Sequence, residues 1–298
     1  MFIDNLINLK KKSSVRKMKH SNKKAFTIIE LVVVILVMGV LVAAITESRV
    51  LMEQAKVKAA QRMASNSPVL GILDDDGQRS VVAWFDAFNT EDITVASGLV
   101  SEWRSRVGNV ALSQTTGTRQ PDYMAEGITY FPAVDFDGAD DFLWGMPILR
   151  GGDDTYTLAA VFWADILKTS VVYEQGTSTA TGGRRSAILL GDTGIMGFVG
   201  QSADFKSMPY SAGRANSVVI VVDDGETSIY LNNGAVLTGS LSSSTLNIGS
   251  AQAVMGRKIG SAEYLDGKIS EVIVFQDALQ ADDIAAVRKY LNTRYNIK

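Results

Sequence analysis

Three groups of residues in this 298-residue chain have types and spacings that could do chemistry. The first is one carboxylate, Glu30, inside the apolar run Phe26 to Ile45, FTIIELVVVILVMGVLVAAI. An ionised carboxylate in hydrocarbon costs at least about 2.5 kcal/mol even on a lenient insertion scale, so Glu30 needs a partner. The second is the series Asp135, Asp137, Asp140 and Asp141. Clustered carboxylates with nearby carbonyls suit a hard cation such as calcium, and Asp135 and Asp137 would share one face of a strand. The spacing matches no calcium-loop pattern, however, and aspartates that bond their own backbone, with Asp137-Gly138 as the turn ending the strand, are the simpler reading. The third is Thr177 to Arg185, TSTATGGRR, a loop whose two arginines could meet an acidic ligand or stay solvated. Trp84, Trp103, Trp144 and Trp163 are candidates for stacking on sugar rings, with a sandwich core as the commoner use of such residues.

The elements that must position these groups follow from patterning. Twenty residues with a single charge are long enough to cross a bilayer as a helix. Met1 to Ala25 holds eight Lys or Arg against one acid, Asp4, which marks a cytoplasmic flank by the positive-inside rule. From Glu47 to about Met63 the helix continues with mixed charge and an uneven apolar stripe suited to packing against copies of itself. Ser65-Asn66-Ser67-Pro68 stops it, because proline cannot continue a helix and restricts the residue before it. Beyond Pro68 the chain changes to short apolar or alternating runs cut by Gly, Asn and Asp. Val218–Val222, Ser228–Leu231 and Ala235–Leu237, separated by Asp224-Gly225 and Asn233-Gly234, read as three antiparallel strands. Regular short strands over some two hundred residues predict a sandwich or barrel.

The junction Lys23-Lys24-Ala25-Phe26-Thr27-Ile28-Ile29-Glu30 resembles the cleavage and methylation signature of type IV prepilins and pseudopilins. The resemblance implies a cut by prepilin peptidase after Ala25, where glycine is usual. It makes Phe26 a methylated N-terminus and Glu30 the assembly glutamate, whose partner is the free amine of a neighbouring subunit. Met18 offers a second start, with the leader MKHSNKKA. Removing 1–25 takes 8 of 29 basic and 1 of 32 acidic residues, which leaves 21 against 31, a net charge of −10. Nucleic acid is then no partner for the body of the protein. The only histidine, His20, leaves with the leader and there is no cysteine, so histidine triads, Cys/His zinc sites, thiol nucleophiles and disulfides are excluded. Stability must come from burial in a large core.

Further on, Ala83-Trp84-Phe85-Asp86-Ala87, Val100-Ser101-Glu102-Trp103, Pro132-Ala133-Val134-Asp135-Phe136-Asp137-Gly138 and Gly267-Lys268-Ile269-Ser270-Glu271-Val272-Ile273-Val274-Phe275 follow in order. Together they resemble the laminin-G-like branch of the concanavalin A-like lectin and glucanase superfamily, over roughly Val81 to Ile297. The expected fold is mainly β: a long N-terminal transmembrane pilin-type helix, then an antiparallel concanavalin A-like sandwich of jelly-roll type, closed by a short C-terminal helix. That helix is expected to be capped by Asp282 or Asp283, with Ile284, Val287 and Leu291 facing the sandwich edge. The expected division is a leader at 1–25, an assembly helix at 26–66, a linker at 67–80 and the sandwich at 81–298. Hydrolases of the superfamily alternate glutamates and an aspartate along one strand. No Glu-x-Asp-x-Glu or Glu-x-Asp-x-x-Glu occurs here. The expectation is therefore a non-enzymatic minor pilin or pseudopilin without an obligate cofactor, calcium at the aspartates being the exception considered. It would be carried by a bacterial inner membrane into a pilus or pseudopilus, and its sandwich would meet a glycan or cell-surface protein. A membrane-tethered polysaccharide-degrading enzyme and a purely structural pseudopilin of a type II secretion system are the alternatives.

Overall fold

The computed structural model describes residues 27–150, 155–176, 185–199, 207–224, 226–240 and 252–298. Ala25, Phe26 and residues 177–184, the stretch expected as a loop before Arg185, lie outside the described residues. The chain forms two compact units, Met1–Ala55 and Lys56–Lys298.

The described residues of the first unit are helical from Ile28 onward. Helix α1 covers Ile28–Ser65, and its segment Ile28–Arg49 has a mean hydropathy of 3.1 with none of it buried. An apolar surface of this kind, exposed along its whole length, belongs in lipid or against other apolar helices. The helix stops where the sequence places its breaker. Ser67 adopts extended backbone and its Oγ accepts from the Val69 amide at 3.2 Å, starting a single 3₁₀ turn at Pro68–Gly71.

The second unit is an antiparallel β-sandwich. Its strands are β1 (Val81–Asp86), β2 (Ile93–Ala96), β3 (Leu99–Arg104), β4 (Ala111–Ser113), β5 (Asp122–Ile128), β6 (Phe131–Asp137), β7 (Leu143–Gly145), β8 (Tyr156–Ala164) and β9 (Ser170–Gly176). They continue with β10 (Arg185–Leu190), β11 (Ile195–Val199), β12 (Ser207–Met208), β13 (Ala215–Asp223), β14 (Glu226–Leu231), β15 (Leu237–Ser240), β16 (Gln252–Met255) and β17 (Asp266–Phe275), before helix α2 (Ala281–Arg294). One layer runs β15–β14–β13–β8–β17, with β1 and β6 pairing successive stretches of the far edge of β17. The other runs β2–β3–β4–β7–β16–β9–β10–β11–β12. Strand β5 joins them by pairing with β6 and, through Leu99 and Asp122, with β3. Between the layers lies a core containing Phe85, Trp103, Phe136, Leu158, Phe162, Tyr173, Ile220 and Val272. The turn at Asn232 to Gly234 delays β15 to Leu237, two residues beyond the expected start at Ala235. Asn232 has φ +51°, and its carbonyl accepts from Arg288 and Asn292 of α2, so the helix holds the turn open.

Helix α2 packs on a sheet face, not on the expected edge. Outward side chains of β1, β8, β13 and β17, including Trp84, Val161, Val219 and Phe275, form a second core with Val69, Ile284, Val287, Leu291 and Tyr295. The cap also differs. Gln280 occupies the N-cap position without a side-chain cap bond, and Asp282 and Asp283 lie in the first turn, where the helix dipole favours them.

At the end of α2, Arg294 is fully buried between two strands. It donates to both oxygens of Asp86 on β1, at 2.9 and 3.1 Å, and to Glu271 Oε2 on β17 at 3.0 Å. Glu271 Oε1 also accepts from Trp84 Nε1 at 2.7 Å and from the Tyr290 hydroxyl at 2.9 Å. Arg106 reaches Asp86 Oδ2 at 3.1 Å. Burial pushes the Glu271 carboxyl up, and the Arg294 guanidinium pulls it back. Removing Arg294 leaves the buried Glu271 without a paired cation and Asp86 with Arg106 alone, which costs about 3–5 kcal/mol. Arg294→Leu is therefore expected to lower sandwich stability by about that amount in a denaturant melt, whereas Arg104→Leu, at an exposed pair with Glu102, stays within about 1 kcal/mol. Equal losses in the two variants would show that the buried cluster does not hold the helix.

Candidate functional site

Glu30 finds a partner within its own helix. Its Oε2 accepts from the Thr27 amide at 2.8 Å and from Thr27 Oγ1 at 3.0 Å, and the Glu30 amide donates back to Thr27 Oγ1 at 3.2 Å. This is a capping box, in which threonine and a glutamate three residues on satisfy each other's free backbone donors. The signal was legible in the sequence as Thr27-Ile28-Ile29-Glu30 before an apolar run, and the reading of Glu30 as a charge in need of a neighbour passed over it.

The aspartate series separates into two. Asp137, Asp140 and Asp141 bring carboxylate oxygens within 4.8 Å of one another. Asp135 does not join them and turns instead to Lys268, at 3.5 Å. Asp137 ends β6, and Gly138 follows at φ +75°. Asp137 Oδ1 accepts from the amides of Ala139 and Asp140 at 2.8 and 3.2 Å, while Asp141 Oδ2 accepts from the Asp137 amide at 3.0 Å. The carboxylates thus close a turn on their own backbone. Arg119 lies 3.6 Å from Asp140, and Lys168 Nζ donates to the Gly138 carbonyl at 3.0 Å.

This turn leads directly into β7, and with it onto the outward face of the second layer. Cross-strand register places Ser113, Trp144, Val254, Glu174 and Ala187 in one row over β4, β7, β16, β9 and β10. Residues paired directly across antiparallel strands point to the same side. Their neighbours Leu143, Met255, Tyr173 and Ile188 point the other way, into the core. Trp144 is 49% exposed at the open end of the row, and Met146 beside it is also exposed. Gln175 fixes the segment after Trp144, accepting from the amides of Ile148 and Leu149 and donating to the Leu149 carbonyl. At the other end the row is covered. Glu174 is fully buried, accepting from Arg185 at 3.1 Å and from the Ile259 amide at 2.7 Å. Burial raises its carboxyl, and the Ile259 amide and Arg185 offset this in part. The covering segment turns at Gly256, φ +82°, where an added Cβ would lie 2.3 Å from the Phe136 ring. Thus Arg185, expected in an open loop, begins β10 and meets an acid of its own chain.

The tryptophans divide as their settings predict. Trp84 and Trp103 are fully buried in the cores, and Trp163 donates to Asp165 at 2.9 Å while packing on the core under α2. Trp144 alone of the four is exposed by half.

Comparisons with known proteins bear on both units. Residues 20–46 match the prokaryotic N-terminal methylation motif, and residues 151–285 match the concanavalin A-like lectin/glucanases superfamily. The fusion expected from the two resemblances is therefore present, and the motif with its apolar helix fits a membrane-anchored precursor. No curated protein matches the chain. Similar solved structures include an arabinofuranosidase complexed with arabinofuranosyl-alpha-1,2-xylobiose, 13% identical with a TM-score of 0.52 over 66% of this chain and 51% of that one. A mutant GH54 α-L-arabinofuranosidase is 15% identical at TM-score 0.52 with the same coverage. Trypanosoma rangeli sialidase is 14% identical at TM-score 0.51, over 80% of this chain and 38% of that one. The chain thus spans about half the length of the arabinofuranosidases and less of the sialidase. At such identities the likeness is one of fold. The structures named here are glycoside hydrolases, which corrects the expectation of a non-enzymatic sandwich: a missing Glu-x-Asp-x-Glu spacing is no ground for excluding catalysis.

Burial pushes the Asp141 carboxyl up to about 6; the Asp137 amide opposes this and the carboxylates of Asp137 and Asp140 add to it. A folded pKa above the unfolded value of 3.8 means that the contribution to stability is full below about 3.8 and lost as pH rises through about 6. Ionised Asp141 therefore costs stability at neutral pH, about 1 kcal/mol once solvent screening is allowed for. Asp141→Asn, which keeps the acceptor for the Asp137 amide, is expected to raise the melting temperature at pH 7.5 and to flatten its pH dependence between about 4 and 7. A lower melting temperature at pH 7.5 would show that the turn needs the charge.

Proposed function

We propose that the chain is a minor type IV pilin or pseudopilin subunit that assembles through α1 and displays a carbohydrate-binding sandwich outside the cytoplasm. Prepilin peptidase and other pilin subunits are its partners in assembly. The assembly half rests on the methylation motif and on the fully exposed apolar face of Ile28–Arg49. In that setting Glu30 has two uses: the capping box in the free subunit, and the amine of a neighbour's Phe26 in the filament. Glu30→Ala is expected to leave the precursor in the membrane and to abolish its incorporation into filaments, while Thr27→Val, which loses the threonine's cap hydroxyl and keeps the charge, still incorporates. Filaments that take up both variants alike would confine Glu30 to helix capping.

The binding half is carried by one observation, the half-exposed Trp144 at the open end of a row that the sheet register fixes. A half-exposed indole on a rigid strand offers an apolar plate to the face of a sugar ring, and the Asp137–Asp141 turn, which leads into the same strand, supplies acceptors for its hydroxyls. Hydrolysis is the second reading, favoured by Glu174, a buried carboxyl with a raised pKa in the same row; the Ile259 segment covers it here. Full-length protein in detergent, applied to an array containing arabinoxylan fragments and sialosides, is expected to be retained. Trp144→Ala should weaken retention about tenfold, a loss of about 1.4 kcal/mol, without changing the melting temperature. Undiminished retention would remove Trp144 from the site, and sugar release lost in Glu174→Gln would put hydrolysis ahead of display.

A further inference from the structure

We propose that the second unit binds a hard divalent cation, calcium by preference, in an acidic cavity separate from the Asp137–Asp141 turn. The cavity, of about 290 Å³, is lined by Asp74, Asp75, Asp76, Asp223, Asp277 and Asp283, with Ser80 among its remaining lining residues. Among the described residues that line it, none is a lysine or arginine. Six carboxylates without a cation among them make a strongly negative concavity.

Acidic surface alone would be unremarkable in a chain of this charge, but the cavity also contains buried oxygens with nothing to answer them. Ser80 is fully buried, and its Oγ has no hydrogen-bond partner among the described residues. Its backbone is fixed on both sides, the amide donating to the Ile72 carbonyl and the carbonyl accepting from the Gln276 amide. Asp277 Oδ2 is likewise buried and without a donor among the described residues, while the Asp277 carbonyl is held by Thr157 Oγ1 at 2.9 Å. Buried polar atoms in native proteins are almost always paired, and an unpaired one marks an ion or a water. Water would satisfy the hydroxyl but leave the surrounding negative charge in place; a cation answers both.

The donor set identifies the class of cation. Every candidate ligand is a carboxylate or hydroxyl oxygen, which suits hard ions and not the thiophilic or imidazole-seeking metals. The cavity is several times the roughly 30 Å³ that one water occupies in the liquid, so the ion keeps part of its hydration shell and reaches some aspartates through water. Calcium, with six to eight oxygen ligands in flexible geometry, tolerates this better than the strictly octahedral magnesium. Asp74 is already fixed, its Oδ1 accepting from the amides of Asp76 and Gln78 and its Oδ2 from Gln276 at 3.3 Å. Bound there, the ion would tie the segment preceding β1 to the entry of α2.

The test is calcium titration of the full-length protein in detergent, followed by calorimetry and by melting temperature, against sodium chloride of matched ionic strength. A saturable rise in melting temperature is expected, half-complete at about 10⁻⁴ to 10⁻³ M, the range of extracellular calcium modules. Asp277→Asn should abolish it. The exposed pair Asp75→Asn and Asp76→Asn, which leaves the buried bonds intact, should weaken it about tenfold, and Asp140→Asn should leave it unchanged. No response beyond that of sodium chloride overturns the proposal. So does a response that survives both Asp277→Asn and the exposed pair, or one that only Asp140→Asn removes.

Discussion

A sheet whose strands are apolar on both faces cannot leave either face in water, and most of this protein's architecture answers that constraint. Strands β8, β13 and β17 are buried along nearly their whole length, as the runs LAAVF, VVIVV and VIVF require. One face is covered by the second layer of the sandwich. The other would expose Trp84, Val161, Val219 and Phe275, and it is closed by α2 together with the turn at Val69. Helix α2 is thus half of a core and not an ornament on an edge. Its placement in turn fixes the late start of β15, since Arg288 and Asn292 hold the turn that precedes it.

Closing a core with one short helix invites slippage, because apolar contacts alone are non-directional. The Arg294 cluster supplies direction. Two carboxylates on neighbouring strands converge on one guanidinium at the helix end, with Trp84 and Tyr290 using the remaining acceptor of Glu271. Burying these charges brings little net stability, yet only one placement of α2 satisfies all of them.

The second layer is treated differently, and the difference creates the candidate site. Its outward row is covered at Glu174 by the segment through Ile259 and left open at Trp144. The covering segment depends on a positive φ at Gly256 and on the close approach of Phe136, which belongs to the same strand as Asp137. The turn of aspartates, the open tryptophan and the covered glutamate are therefore parts of one continuous construction. In the first unit the economy is more local: the Thr27–Glu30 capping box satisfies helix donors that hydrocarbon could not, and it reduces the cost of carrying a carboxylate at the start of a helix long and apolar enough to cross a membrane.

What the sequence determined by itself was local. Twenty residues with one charge specify an apolar helix long enough to cross a membrane, Ser-x-Ser-Pro stops it, and Asp137-Gly138 makes its own turn through bonds to the next three residues. The strands of the β13–β14 hairpin were legible because their period and turn chemistry agree. Even the capping box was present as a four-residue signal. Tertiary structure decided whatever depends on residues far apart in the chain. Glu271 and Arg294 read only as a strand acid and a helix-end cation, and their meeting with Asp86 spans 208 positions. Asp135 and Asp137 look equivalent on one strand, until Lys268 claims the first and the turn claims the second. Four tryptophans are alike in composition, but the register of β4, β7 and β16 leaves Trp144 the most open of them. Burial and charge pairing between strands are properties of the assembled sheets, and no window of sequence contains them.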